Sequence, residues 1–181
     1  MTKWLLLILI LMAAAVSTVM VNPATTQTTL ADVTMWIGNL NIEVGNLTAV
    51  VEGDNLTVTY NTINGWSMHE THLYIGSTAP TVSLLRAFPF KHEGLGGVKS
   101  DTYVISMSEL GFTADDTVFI AAQAGVQKPG LPDLLKESAW ANGDPIPSGK
   151  NSMFFSVVVP RPSVLDNLSR WFPFRIQKRA G

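Results

Sequence analysis

The chain has no cysteine, only three histidines, and few charged residues, 14% of its 181 positions. The missing thiols exclude a disulfide framework, a thiolate zinc site and a cysteine nucleophile. The low charge, beside an apolar fraction of 46%, excludes a disordered polyelectrolyte, a coiled coil and a Lys/Arg-rich nucleic-acid binder. No Gly-x-Ser-x-Gly elbow is present, and three histidines leave little room for a Ser-His-Asp triad. Gly94-Leu95-Gly96-Gly97 lacks the strand-to-helix setting of a phosphate loop. No residue is therefore assigned a catalytic role, and no metal or other cofactor is expected.

Long apolar runs are also scarce, and the one that exists is at the start. Lys3 precedes an unbroken apolar run from Trp4 to Met12, and Ala15-Val16-Ser17 has the small-x-small form of a cleavage site. Residues 1–17 read as a secretory signal peptide. The alternative is an uncleaved N-terminal anchor, because Trp4–Val21 is just long enough to span a bilayer. Either reading places the body of the chain outside the cytoplasm, secreted or at the cell surface. An economy without cysteine in that compartment suits a prokaryotic protein held by its core alone.

Charge is unevenly spread. Residues 161–181 carry five basic side chains against Asp166, a net of +4, whereas residues 18–160 carry six basic and thirteen acidic, a net of −7. The basic tail is suited to an anionic surface, or simply to solvation. Within it Ser163–Phe172 has a helical apolar face of Val164, Leu165, Leu168 and Trp171, stopped by Pro173.

Between leader and tail the pattern is β. Residues 18–30 read as a flexible leader and residues 31–160 as one domain of about eight strands. Short runs at Ala31–Trp36, Asn39–Val44 and Leu47–Val51 precede the turn Glu52-Gly53-Asp54-Asn55, with Leu56–Thr62 as the return strand. Asn64-Gly65 turns the chain into Trp66–Ile75. Thr102–Met107 alternates, with Tyr103, Ile105 and Met107 inward, and Thr117–Ala124 and Ser152–Val159 follow. Strands with turns and no intervening helices predict an antiparallel β-sandwich, with a short C-terminal helix. Gly76–Ser100 and Gly125–Asn151 are expected as two long loops, where a binding surface would meet the sheet.

The chemistry-bearing residues gather on one strand and these loops. Alternation puts Trp66, Met68, Glu70, His72 and Tyr74 on one face and His69 on the other. Glu70 and His72 are then ~7 Å apart, close enough to share a ligand or a hydrogen-bond partner. His69-Glu70-Thr71-His72 is one residue short of the His-Glu-x-x-His zinc motif and lacks its helix. His92 on the first loop, and Glu137 with Trp140 on the second, complete a candidate cluster. That cluster is either a structural polar network or a metal, carbohydrate or hydrolase site. Trp36, Trp66, Trp140 and Trp171 are candidates for sugar stacking or for core burial. Asp115-Asp116 reads as a turn, with weak Ca²⁺ binding as the alternative. Asn46, Asn55 and Asn167 open glycosylation triplets, reachable after export.

The order of these motifs resembles a family. Gly53–Tyr60, Gly65-Trp66 and Glu70-Thr-His-Leu-Tyr-Ile75 are similar to an uncharacterised secreted all-β domain of bacteria and archaea. That domain continues with Phe-Pro-Tyr-Lys-His-Glu, here Phe88-Pro-Phe90-Lys-His-Glu93, and with an Ile-Ala-Ala-His step, here Ile120-Ala-Ala-Gln123. It closes with Glu-Thr-Ala-Trp-Ala, here Glu137-Ser-Ala-Trp-Ala141, followed by Gly149-Lys-Asn151. The resemblance covers roughly residues 44–159 and implies an extracellular β-module, alone or joined to other surface modules, with no known activity. Gln123 stands where the pattern has His, which removes one metal ligand. The sequence thus predicts a non-catalytic secreted or surface module that is structural or binds a cell-surface glycan or protein. The alternatives are a hydrolase or metal/carbohydrate-binding domain using Glu70, His72, His92 and Glu137, and a surface-fibre subunit exchanging the strand Thr25–Trp36.

Overall fold

The computed structural model describes residues 26–161, apart from 39, 129 and 131–135. The signal peptide, most of the leader, the helix expected at Ser163–Phe172 and nearly all of the basic tail lie outside the described residues. Among the described residues are ten strands: β1 Gln27–Ile37, β2 Ile42–Glu52, β3 Asn55–Thr62, β4 Ser67–Gly76, β5 Phe90–Val98, β6 Ser100–Ser106, β7 Thr117–Gln127, β8 Glu137–Ala141, β9 Asp144–Pro145 and β10 Met153–Val158. All pairings are antiparallel.

The expected all-β antiparallel class is present, but the two-sheet sandwich is replaced by one continuous path, β5-β4-β7-β8-β1-β2-β3-β6. β10 pairs with the first half of β7 and β8 with its second half, so the two share one column of the wall. The path curls until its end strands, β5 and β6, approach each other. The sheet is a nearly closed barrel.

The turns explain the curl. Gly53 has φ +61° at the first position of the two-residue β2–β3 loop, a conformation that glycine adopts without cost. Asn64 and Gly65 both have positive φ, and Trp66 N–H donates to Ile63 O to close that turn. Yet β3 and β4, on either side of it, do not pair. β6 lies against β3 and β5 against β4, with Lys99 between them. The Lys99 carbonyl accepts from Thr62 N–H, and its ammonium donates to Gly65 O and Trp66 O. Farther along, β2 meets β3 so closely that a Cβ on Gly45 would stand 1.8 Å from Asn61 O.

Several expected elements shift. Asn39–Val44 and Leu47–Val51 fuse into β2, and β1 starts at Gln27, inside the expected leader. Both long loops contain strands that were not expected. β5 takes nine residues of the first, and β8 and β9 take seven of the second. Gly94, Gly96 and Gly97, all at positive φ, disguise β5 in the sequence. The alternation in β6 stands as expected, with Tyr103, Ile105 and Met107 buried and Val104 64% exposed.

The barrel is filled by inward side chains such as Leu47, Leu56, Val58, Met68, Leu73 and Ile120. A second apolar cluster sits on the outside of the wall. There Phe88, Ala121, Trp140 and Ile146 pack with Tyr74, Leu85 and Phe154, brought by segments 77–89 and 142–154. Both connecting segments thus fold onto one outer face.

Candidate functional site

β4 carries the main correction. A bulge at His69 breaks the ladder between Met68 and Glu70 against both neighbouring strands. An extra residue reverses the side-chain phase beyond it. Met68 therefore joins Leu73 and Ile75 in the barrel core, whereas Glu70, His72 and Tyr74 face outward. Met68 does not share the face of Glu70, as simple alternation requires.

On the outer face, cross-strand pairing builds a row. Lys91 of β5, His72 of β4, Gln123 of β7, Trp140 of β8 and Trp36 of β1 are successive partners. His72 Nδ1 lies 2.9 Å from Gln123 Oε1, and Gln123 Nε2 donates to Ser138 Oγ at 3.0 Å. The amide oxygen can only accept, so His72 carries its proton on Nδ1 in this pair. Both side chains are buried. In the neighbouring row Glu70 lies across Gly125, where a Cβ would stand 2.6 Å from Glu70 Cγ.

A second polar cluster lies on the inner side, at the β5–β6 seam. Thr71 Oγ1 donates to Asp101 Oδ2 at 2.5 Å. His92 Nδ1 lies 3.0 Å from both Asp101 oxygens. With the Thr71 proton committed to the carboxylate, the Tyr103 hydroxyl donates toward Thr71 Oγ1, at 2.7 Å, and Thr71 O, at 3.1 Å. The His92 ring stacks on Tyr103 at 4.3 Å and 9°. Tyr60 reaches from β3 to donate to His72 O at 2.9 Å. Side chains thus join β3 and β6 to β4 and β5 where no ladder runs.

Burial shapes the acidities here. It pushes the Tyr60 phenol well above its ordinary value, with Tyr103 and the Asp101 carboxylate adding to the effect. Burial also raises Tyr103, the bond with Thr71 offsets part of that, and Asp101 adds to it. His69 at the bulge is lowered, first by burial and then by Lys136, against an opposing pull from Glu70.

The structure does not assemble the expected cluster. Glu70 and His72 face outward. His92 pairs with Thr71 and faces inward, on β5 rather than on a loop. Glu137 opens β8 opposite Val126, a core residue, so it too sits on the inner side and not in a helical turn. Trp140 shares the His72 row but is only 6% exposed, with Phe88 edge-on to it at 6.1 Å. Among the described residues no group of three or more His, Asp or Glu is placed to hold a metal ion. Asp115 and Asp116 form the expected turn, and both carboxylates are engaged, by Arg161 and by Thr113. The residues that sequence reasoning missed are Thr71, Asp101, Tyr103 and Tyr60. Their signal is a carboxylate, Asp101, on the same alternating face as Tyr103 and Ile105.

Beside the outer cluster is a groove of about 320 Å³, lined by Tyr74, Ala79, Pro80, Val82, Ala87 and Phe88, with Thr78 and Thr81. Tyr74 OH donates to Thr78 O and fixes one wall. The lining carries no charged side chain, and Val82 and Leu84 are exposed nearby. No described helix is long and apolar enough to cross a membrane. No family model matches the chain, and no curated protein or solved structure is significantly similar to it.

Proposed function

We propose that the chain is a non-catalytic secreted or cell-surface module with a binding or structural role. The observation that carries this reading is the destination of its candidate catalytic groups. His72 is spent on Gln123, and through it Ser138, on the outer face. His92 is spent on Asp101, which also accepts from Thr71, on the inner face. Buried polar groups satisfied by one another hold strands in register. The hydrolase alternative needs Glu70, His72, His92 and Glu137 at one point, and they lie on opposite faces of the sheet.

Between glycan and protein as partner, the surface favours protein. Trp140 lies beneath Phe88 and offers no open platform for a sugar ring. The groove beside Tyr74 is apolar, the character of a surface that receives side chains from another chain segment. The test combines turnover and metal content of the full chain with those of Glu70→Ala and His72→Ala. We expect no turnover of ester, peptide or glycosidic substrates, and no bound metal. Saturable turnover abolished by either substitution overturns the reading.

A fibre subunit is the second reading. β1 pairs along its length with β2 of its own chain, so it is not a free donor strand. Its other edge, however, pairs with β8 only at Met35 and Trp36, leaving Gln27–Val33 without a ladder partner among the described residues. Such an edge accepts an added strand. Sedimentation of the concentrated full chain decides this: assembly supports it, and a monomer throughout removes it.

A further inference from the structure

The two ends of the barrel differ in charge. Gln27 opens β1 opposite Glu52, and β10 leaves β7 at Val158, opposite Thr117, so the described chain enters and leaves at one end. The turns there carry Glu52, Asp54, Glu109, Asp115 and Asp116 against Arg86 and Arg161, a net of −3. The far end holds the β1–β2 and β3–β4 turns, Lys99, and the C-terminal end of β7 beside the start of β8. Lys99, Lys128 and Lys136 are exposed at this far end. Exposed Lys150 adjoins Asn151, whose Cβ would lie 2.7 Å from a Cβ on Gly38 of the β1–β2 turn. Against these four stand Glu43 and Glu137, a net of +2. Lys99 donates to Gly65 O, and the Lys128 ammonium lies 6.0 Å over the Trp66 ring, which gathers both at the β3–β4 turn.

Large aliphatic side chains break the surface at the same far end. Leu40 is 49% exposed, and Ile42 and Ile63 are each 38% exposed. They are neighbours: Leu40 N–H donates to Ile37 O, Ile42 pairs with Ile37, and Ile63 N–H donates to Val44 O at 2.8 Å. Asn41 and Asn64, both at positive φ, tighten the two turns on which these side chains stand. We propose that this end of the barrel docks on an anionic lipid bilayer, with Leu40, Ile42 and Ile63 entering the headgroup boundary. Aliphatic side chains bordered by ammonium groups are the composition of an interfacial surface. The lysine stems lie along the apolar patch while their ammonium groups meet lipid phosphates. Each such ammonium strengthens binding to an anionic leaflet about fivefold. The acidic end is repelled by the same leaflet, so the charge distribution selects one orientation, with the far end leading. This surface is separate from the groove beside Tyr74 and is independent of what that groove receives.

No native thiol competes for a label, so the test reads the far end directly in the full chain. Ile63→Cys and, as the control at the acidic end, Glu109→Cys each carry an environment-sensitive fluorophore. The probes are vesicles of phosphatidylcholine alone and of phosphatidylcholine with phosphatidylglycerol. The label at position 63 should shift to the blue on the anionic vesicles, be quenched by spin-labelled lipid, and return toward its free spectrum in high salt. The label at position 109 should stay silent, whatever other part of the chain touches lipid. Lys128→Glu with Lys136→Glu should raise the lipid concentration at half-response about 25-fold. Leu40→Ser should raise it about fivefold. The unfolding midpoint should be unchanged in both variants, since all three positions are solvent-exposed. A silent label at position 63 while the chain sediments with vesicles overturns the proposal. So does an equal response at positions 63 and 109, or a response that neither the lysine pair nor Leu40 moves.

Discussion

Thr71 Oγ1 and Asp101 Oδ2 stand 2.5 Å apart and tie β4 to β6 across the gap where the sheet fails to close on itself. A barrel without a complete ladder leaves the end strands with unmatched backbone groups, and side chains must hold the seam. The Asp101 carboxylate does so from one side, accepting hydrogen bonds from Thr71 and His92 together.

Asp101→Ala is expected to be costly for this reason. It removes the acceptor of two partly buried donors, a loss of about 1–3 kcal/mol. Urea unfolding reads the loss in stability. Hydrogen exchange locates it: amides of β5 and β6 should lose more protection than those of β1 and β2.

Gln123→Ala leaves the His72 ring N–H without its acceptor in a buried row, and Ser138 without its donor. The expected destabilisation is again about 1–3 kcal/mol. Thermal unfolding of Gln123→Ala, beside the double variant with His72→Ala, separates pair loss from packing. The double variant should cost less than the sum of the two singles.

Gly125→Ala sets a methyl group against Glu70 Cγ at 2.6 Å. The clash is with a flexible side chain, so the cost is expected to be modest, about 1–2 kcal/mol. Glu70→Ala should recover most of it in a double-mutant cycle. Failure to recover places the strain in the β7 backbone instead. Gly45→Ala is the contrasting case: its methyl would meet the backbone oxygen of Asn61, which cannot swing away, and should prevent normal folding.

The buried phenols define an alkaline limit. Tyr60 and Tyr103 both ionise above the ordinary value of 10.0 in the folded chain. A raised native pKa binds the proton more tightly when folded, so this stabilisation is complete below pH 10 and is lost as pH rises past the native values. Stability measured from pH 8 to 12 should fall above 10. Tyr103→Phe should flatten part of that fall.

Local signals made much of the fold legible. Gly53 and Asn64-Gly65 marked their turns, and the alternation around Tyr103 gave the correct inward face of β6. The barrel was not legible, because closure depends on which strands meet at Lys99 and along β7, and alternation says nothing of strand order. β5 is not legible either, because Gly94, Gly96 and Gly97 carry the composition of a loop. On β4 the period-two rule held on each side of His69 and failed across it, so Glu70 and His72 were paired correctly but given the wrong neighbour in Met68. The cluster around Trp140 was half legible: His72 and Trp140 share a row, whereas His92 and Glu137 belong to the other side of the wall. The role of Asp101 is not legible, because a lone acidic residue at a strand start ordinarily signals solvent.

The shared column of β8 and β10 has a consequence for how this architecture can change. Along β7 the wall reads as a single strand interrupted after Ala141 and resumed at Phe155. The thirteen intervening residues are an excursion hung on an otherwise continuous stave, anchored on the outer face by Ile146. An excursion of this kind can lengthen, shorten or exchange its contents while both halves of the stave keep their registers. The barrel thus carries a natural insertion point beside its outer apolar cluster, where new surfaces can be grafted without recutting the wall.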